Sequence, residues 1–418
     1  MKATGNPAAY AHASLAIANL RGVFILILVS FHACLAYLGS TPATPAAFDL
    51  APYMWLAFPI VDPRRFYGFD LYCAWEDVHV MALMFFLSGL FVAPSLKRKG
   101  AGRFAADRLF RLGPPFLFSV FVLTPIAIYP VYLQRNPSGS PADYLAAYRD
   151  LPFWPNGPAW FLWLLLAISL ASAAIHALWP AGLEALAGLA KDARRAPRRF
   201  LVALTVAATL GYLPLTLAYG PFDWFERGLF SFQISRPLLY AVYYFAGAAV
   251  GAAGLSEGLL APDGELSRRW RRLGAISPAF LFVWMGLTGV VLTYPAFAPM
   301  PMRTLSALAY VGASVAGVML LMAVSVRFCA RRFRWLELLS RNALGIFVVH
   351  YTPLAWMQYA LLDLALPALL KAALVFGVTL PVSLALAVAM RKQPLLARLI
   401  GEEPAAMLRP AKAPQQAS

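Results

Sequence analysis

The stretch LAIANLRGVFILILVSFHACLAYL, residues 15–38, decides the fold class. A helix needs ~20 apolar residues, at ~1.5 Å rise each, to cross ~30 Å of hydrocarbon, and this run is long enough. Its only basic side chains are Arg21 and His32. A removable secretory signal would have a richer positive start and a shorter apolar run; here only Lys2 precedes Arg21. We read the segment as a retained span.

Nine further apolar segments follow, at 78–96, 112–133, 159–179, 200–218, 236–255, 275–297, 303–326, 341–362 and 366–390. The expected fold is an all-α polytopic membrane protein of about ten transmembrane helices, forming one domain over residues 1–403. The Pro/Ala/Gln-rich stretch 404–418 is expected to be a disordered cytoplasmic tail. Composition agrees: 61% of residues are hydrophobic and 13% charged, where soluble domains run about a quarter charged.

The net charge of +16 does not call for nucleic acid, because its placement follows the membrane. Of the 35 Lys and Arg residues, 27 fall in the termini and the even-numbered loops, and 8 in the odd-numbered ones. Basic loops stay in the cytoplasm, so both termini are expected there, with lipid headgroups as partners. The cysteines, Cys34, Cys73 and Cys329, lie far apart without metal-ligand spacing, and no metal is expected.

The long loop from Gly39 to Asp77 is acidic and aromatic, with Asp49, Asp62, Asp70, Glu76 and Asp77 among Tyr53, Trp55, Phe66, Tyr67, Phe69, Tyr72 and Trp75. Carboxylates and flat rings suit sugar hydroxyls and apolar sugar faces. The alternative is an aromatic belt at headgroup level.

An ionisable group within a span is costly and therefore a functional candidate. Arg21 and His32 are eleven residues apart, which returns them to one helix face ~16 Å apart along the axis. Arg21 is then at the cytoplasmic boundary and His32 in the outer half. The second span opens with Trp75-Glu76-Asp77-Val78-His79, bringing more titratable groups to that side. A carboxylate beside imidazole fixes its tautomer and raises its basicity, as a general base needs; otherwise Glu76, Asp77 and His79 are solvated cap residues. On the basic side, Arg108 and Arg111 are three apart and project together, an arrangement suited to phosphate. Orientation alone is the competing explanation for these charges. His350, in Phe347-Val348-Val349-His350-Tyr351, is either a structural hydrogen bonder or a site wall. His12 is expected to be exposed, and His176 to snorkel from the fourth span.

These pieces, in this order, resemble acyltransferase family 3, integral-membrane enzymes that use acyl-CoA. The matching stretches are Leu20-Arg21-Gly22 through Phe31-His32, Phe85-Phe86-Leu87-Ser88-Gly89-Leu90-Phe91, Arg108-Leu109-Phe110-Arg111 leading to Pro114, Trp160-Phe161-Leu162, and Phe347 to Tyr351. The His79 helix running into Phe85, with Tyr37 five residues after His32, is most similar to the glucan biosynthesis protein C-like branch. Ala159 departs from that branch, which tends to carry histidine before the tryptophan.

The resemblance implies an acyl-CoA donor bound from the cytoplasm, and an extracytoplasmic glycan or related envelope acceptor, at the bacterial inner membrane. It implies succinyl or acetyl as the group moved. His32 is then the base, or is itself transiently acylated, with Glu76, Asp77 and His79 orienting it or holding the acceptor. Arg108 and Arg111 bind coenzyme A phosphates and Arg21 stabilises charge along the thioester's route. Tyr37, Trp160 and His350 complete the substrate site. The account expects His32 to share one water-accessible cavity with the arginines. The competing functions are a transporter or flippase, and a polysaccharide ligase using a lipid-linked donor.

Overall fold

The computed structural model describes residues 7–403, so Lys2 and the 404–418 tail lie outside the described residues. All ten expected segments are helical: α1 (Pro7–Tyr37), α2 (Gly68–Lys99), α3 (Ala101–Arg135), α4 (Gly157–Leu178), α5 (Pro197–Tyr219), α6 (Pro237–Ala253), α7 (Trp270–Thr293), α8 (Met300–Phe328), α9 (Ala343–Val349 continued by Tyr351–Ala360) and α10 (Ala368–Met390). Eight are long and apolar enough to cross a membrane. The chain is an all-α polytopic membrane protein. α6 is shorter, at 17 residues, and α9 is divided at His350, whose own backbone stays helical at φ −64°, ψ −32°.

Two features of α2 and α3 position the site. α2 starts at Gly68, two turns before Trp75, so Glu76, Asp77 and His79 sit within the helix rather than at its cap. In α3 a π-helical turn, Ser119–Leu123, interrupts the helix, and Pro130 removes the N–H that would satisfy the Ile126 carbonyl. The indole Nε1 of Trp356 on α9 donates to that carbonyl at 3.1 Å, and Thr352 Oγ1 donates to Leu123 O at 3.2 Å. The backbone groups released in α3 thus tie it to α9.

The tightest helix crossing explains the glycine in Phe85-Phe86-Leu87-Ser88-Gly89. A Cβ on Gly89 would lie 2.0 Å from Tyr244 O, and one on Gly251 would lie 1.9 Å from Leu90 O. α2 and α6 therefore touch backbone to backbone, as small residues allow inside membranes.

Sequence patterning did not foresee the hairpin of β1 (Trp224–Arg227) and β2 (Phe230–Gln233), paired antiparallel between α5 and α6. Gly228 takes φ 57° at the first position of the two-residue connection, which suits glycine there.

The 39–77 loop is a folded cap, of which Ser40, Leu56, Ala57 and Phe58 line a cavity beneath it. Asp62 is fully buried and its Oδ2 lies 2.6 Å from Nζ of the equally buried Lys371. Trp55 is buried, stacked on Phe48 at 5.1 Å, with Nε1 donating to Phe48 O. Both are spent on holding the cap. His12 also differs from expectation: α1 begins at Pro7, and the ring bonds Val326 O at 2.7 Å.

Candidate active site

A cavity of ≈ 470 Å³ lies in the half of the protein opposite the basic loops. α1 contributes Leu28, Phe31, His32 and Leu35; α2 contributes Asp70, Ala74, Glu76, Asp77 and Met81; α4 contributes Trp160, Phe161 and Leu164. The hairpin adds Trp224, Phe232 and Gln233, and the far wall is Trp284 to Leu292 of α7.

Its most informative member is His32. Nδ1 lies 2.9 Å from Leu28 O, and a backbone carbonyl only accepts, so Nδ1 carries a proton. That leaves Nε2 as the nitrogen free to take or give a proton. The ring is held edge-on by His350 at 5.0 Å and Tyr351 at 5.8 Å. Gln358 Nε2 donates to His32 O at 2.9 Å, which fixes the α1 backbone against α9.

Two adjacent carboxylates do different things. Asp77 Oδ2 receives a hydrogen bond from Arg236 Nη2 at 2.8 Å. Arg236 is also held by Gln233 Oε1 at 3.1 Å from Nε, and lies over the Tyr310 ring at 4.3 Å. Its Nη1 is buried without a protein partner among the described residues. Glu76 is 3% exposed and lines the cavity, with no hydrogen-bonding side chain on its carboxylate among the described residues. Asp77 is engaged; Glu76 is available.

The structure does not bring His79 to this cavity. Asp70, Ala74, Asp77 and Met81 recur every three or four residues, whereas His79 is rotated about 200° from Asp77 at the ~100° per residue of an α-helix. His79 donates from Nδ1 to Trp75 O at 2.5 Å, and its Nε2 is 3.2 Å from Ser277 Oγ. It knits α2 to α7 and packs on Gly317 of α8. Tyr37 likewise points away, buried in the outer cap in the 3-10 turn that ends α1. His350 stands behind His32, donating from Nδ1 to Phe347 O at 2.7 Å, and Trp160 lines the cavity stacked on Tyr240 at 5.9 Å.

Arg21, Arg108 and Arg111 do converge, close enough for their charges to interact. Arg21 lies over the Phe91 ring at 4.8 Å and Arg108 over Phe104 at 5.0 Å. Outside the spans, burial raises the Glu402 carboxyl above its ordinary range, near Arg391 and Arg111. The expectation of one shared cavity is not met in this conformation. Toward the arginines the lining ends at Leu28, Phe161, Leu164 and Phe347, and none of the three guanidiniums is part of it. Large apolar side chains from three helices meet there, and the bulk of two phenylalanines closes the gap.

Sequence reading missed Arg236, Gln233 and the hairpin aromatics. A signal for Arg236 existed: it is one of the few basic residues on the side that positive loops avoid, and it opens the sixth apolar segment.

His32, with Nδ1 on the Leu28 carbonyl, and Glu76 face one cavity on the side away from the basic loops, an arrangement with which a proton can be taken up or released. The acyltransferase domain of acyltransferase family 3 matches residues 15–388, nearly the whole chain. The chain belongs to that family and is a membrane acyltransferase. No curated protein and no solved structure matches it significantly.

Proposed function

We propose that this enzyme moves an acyl group, succinyl or acetyl, from cytoplasmic acyl-CoA to a hydroxyl of an extracytoplasmic envelope glycan, in the bacterial inner membrane. The observation that carries this reading is the anchored tautomer of His32, whose Nε2 is free beside a cavity on the side away from the basic loops. On this reading the acceptor hydroxyl gives its proton to His32 Nε2 as its oxygen attacks the thioester carbonyl. The carbon–sulfur bond then breaks, and the coenzyme A thiolate leaves with the proton from the imidazolium. Glu76 holds the acceptor through hydrogen bonds to its hydroxyls; Asp77 acts through Arg236.

The arginine cluster is the donor's anchor, since guanidiniums suit phosphates. Arg21 and His32 are ~16 Å apart along α1, a span that an extended pantetheine arm covers. The arm reaches His32 once Phe161 and Phe347 part, so donor binding and opening of the cavity floor are one event.

Mass analysis of envelope glycans from cells with and without the gene tests the reading. Loss of a glycan ester on deletion supports it. Loss of the polymer itself, or esters that persist unchanged, would contradict it.

A further inference from the structure

The open end of the hairpin presents two paired side chains to the cavity. Its register sets Trp224 directly opposite Gln233, and residues opposite each other in a ladder project from the same face. Both line the cavity. The hairpin that carries them is tied down elsewhere. Asn156 Nδ2 donates to Ser231 O at 3.2 Å, and Ser231 Oγ donates to Asn156 Oδ1 at 2.6 Å. Trp154 N donates to Gly228 O at 2.7 Å, and Phe230 and Phe232 pack on Trp163 of α4 at 5.1 and 5.2 Å. A pair held this way is preorganised for a ligand.

Each of the two keeps binding capacity that the fold leaves unspent. Arg236 Nε donates to the side chain of Gln233 at 3.1 Å, and a guanidinium only donates, so the atom facing it is Oε1. Gln233 Nε2 is thereby turned away from Arg236, a donor with no partner among the described residues. Of the three cavity tryptophans, Trp160 stacks on Tyr240 at 5.9 Å and Trp284 meets Tyr310 edge-on at 5.4 Å. Trp224 has no ring partner among the described residues, so its indole face is open. Glu76 adds an unpaired acceptor to the same cavity. A flat apolar surface, a donor of fixed direction and a carboxylate acceptor complement a pyranose, which has an apolar C–H face and a rim of hydroxyls. An alkyl ligand would strand the amide and the carboxylate without partners. A phosphate would meet Glu76, with the one guanidinium in the lining already engaged by Asp77 at 2.8 Å.

We infer that Trp224 and Gln233 form a subsite for one pyranose ring of the acceptor. The ring's apolar face lies on the Trp224 indole, one hydroxyl accepts from Gln233 Nε2, and another donates to Glu76. Gln233 is then a specificity-determining residue: its amide cannot turn its oxygen to the ligand without losing Arg236, so it demands a hydroxyl at one ring position. This deepens the acyl-transfer reading and rests on it for the ring's role as acceptor. Sugar binding at the hairpin is separable from it.

The test uses the full chain in lipid nanodiscs. Titration with methyl glucopyranoside should change, saturably, the fluorescence that Trp224→Phe removes. Gln233→Met keeps the length of the side chain without its donor, and should weaken that binding at least ~fivefold, the worth of one hydrogen bond. Among the monodeoxy analogues of the glucoside, one should bind the native protein as weakly as the glucoside binds the variant. Gln233→Met should weaken that analogue far less than its parent. An amide that serves only to hold Arg236 would show equal losses across the series. Trp224 fluorescence untouched by the glucoside, or equal losses on Gln233→Met for every analogue, overturns the inference. So does a native protein that binds all the monodeoxy analogues as tightly as the parent, a result that needs no folded variant. Saturable binding with no acyl transfer to the glucoside from acyl-CoA would count against the acyl-transfer reading and leave the sugar subsite standing.

Discussion

The imidazoles of His32 and His350 meet edge to face, with ring centroids 5.0 Å apart at an interplanar angle of 61°. Each anchors Nδ1 on a carbonyl of its own helix, Leu28 for His32 and Phe347 for His350, so α1 and α9 present the pair back to back. His32 reaches the cavity; His350, fully buried and with Nε2 unpartnered among the described residues, packs behind its ring.

His350 is therefore a positioning residue. His350→Ala should lower kcat about tenfold, the effect of a ~1.4 kcal/mol loss of orientation, with little change in acceptor KM. His350→Phe, which restores a ring against His32, should recover most of that loss. Steady-state transfer by the three proteins checks it; a rise in KM at unchanged kcat would mean that His350 contacts substrate.

The arginine cluster should act on the donor alone. Hydrogen bonds to charged groups contribute ~1.5–3 kcal/mol, so Arg108→Gln or Arg111→Gln should each weaken acyl-CoA binding about tenfold or more. Calorimetric titration with a non-hydrolysable acyl-CoA thioether measures it. Unaltered affinity in the double variant would reduce these charges to a topological role.

The buried pair beneath the outer cap is a stability element. Asp62→Ala leaves the Lys371 ammonium, 0% exposed, without its carboxylate, and breaking such a pair costs ~3–5 kcal/mol. Asp62→Leu combined with Lys371→Met should be closer to wild type than Asp62→Ala, because neither charge is then stranded. Thermal unfolding in detergent compares them.

Close approach of α2 and α6 gives a contrasting pair. Gly251→Val should prevent correct assembly, since any Cβ there meets Leu90 O at 1.9 Å. Gly289→Ala, with open space around it, should leave the melting temperature within the small range of neutral substitutions, about 0.5 kcal/mol. Monodispersity and melting temperature of the purified variants check both.

Helix positions were legible because a bilayer demands ~20 apolar residues per crossing, a one-dimensional requirement. The His32 candidate was legible as an ionisable group placed where charges are expensive, and the Arg108/Arg111 pair as two guanidiniums three residues apart on the basic side. What the sequence left hidden depends on phase and long-range pairing. His79 was grouped with Glu76 by proximity in the chain, but the early start of α2 at Gly68 sets a face on which Asp77 looks into the cavity and His79 looks away. The sequence left Asp62 and Trp55 between a sugar surface and an aromatic belt, because it does not show that Asp62 pairs with Lys371, 309 residues away, or that Trp55 bonds the Phe48 carbonyl. Arg236 was counted as a loop charge, and only the fold shows it clamped by Asp77 from 159 residues earlier.

The central claim is that Nε2 of His32 takes the acceptor's proton. The most direct measurement is transfer of labelled acyl groups from acyl-CoA to envelope glycan by reconstituted His32→Ala protein, alongside a melting curve that reports its fold. General-base catalysis contributes ~10²–10⁴-fold, so the account requires a loss of at least about a hundredfold with melting unchanged. A folded His32→Ala enzyme working within a few-fold of wild type would contradict it.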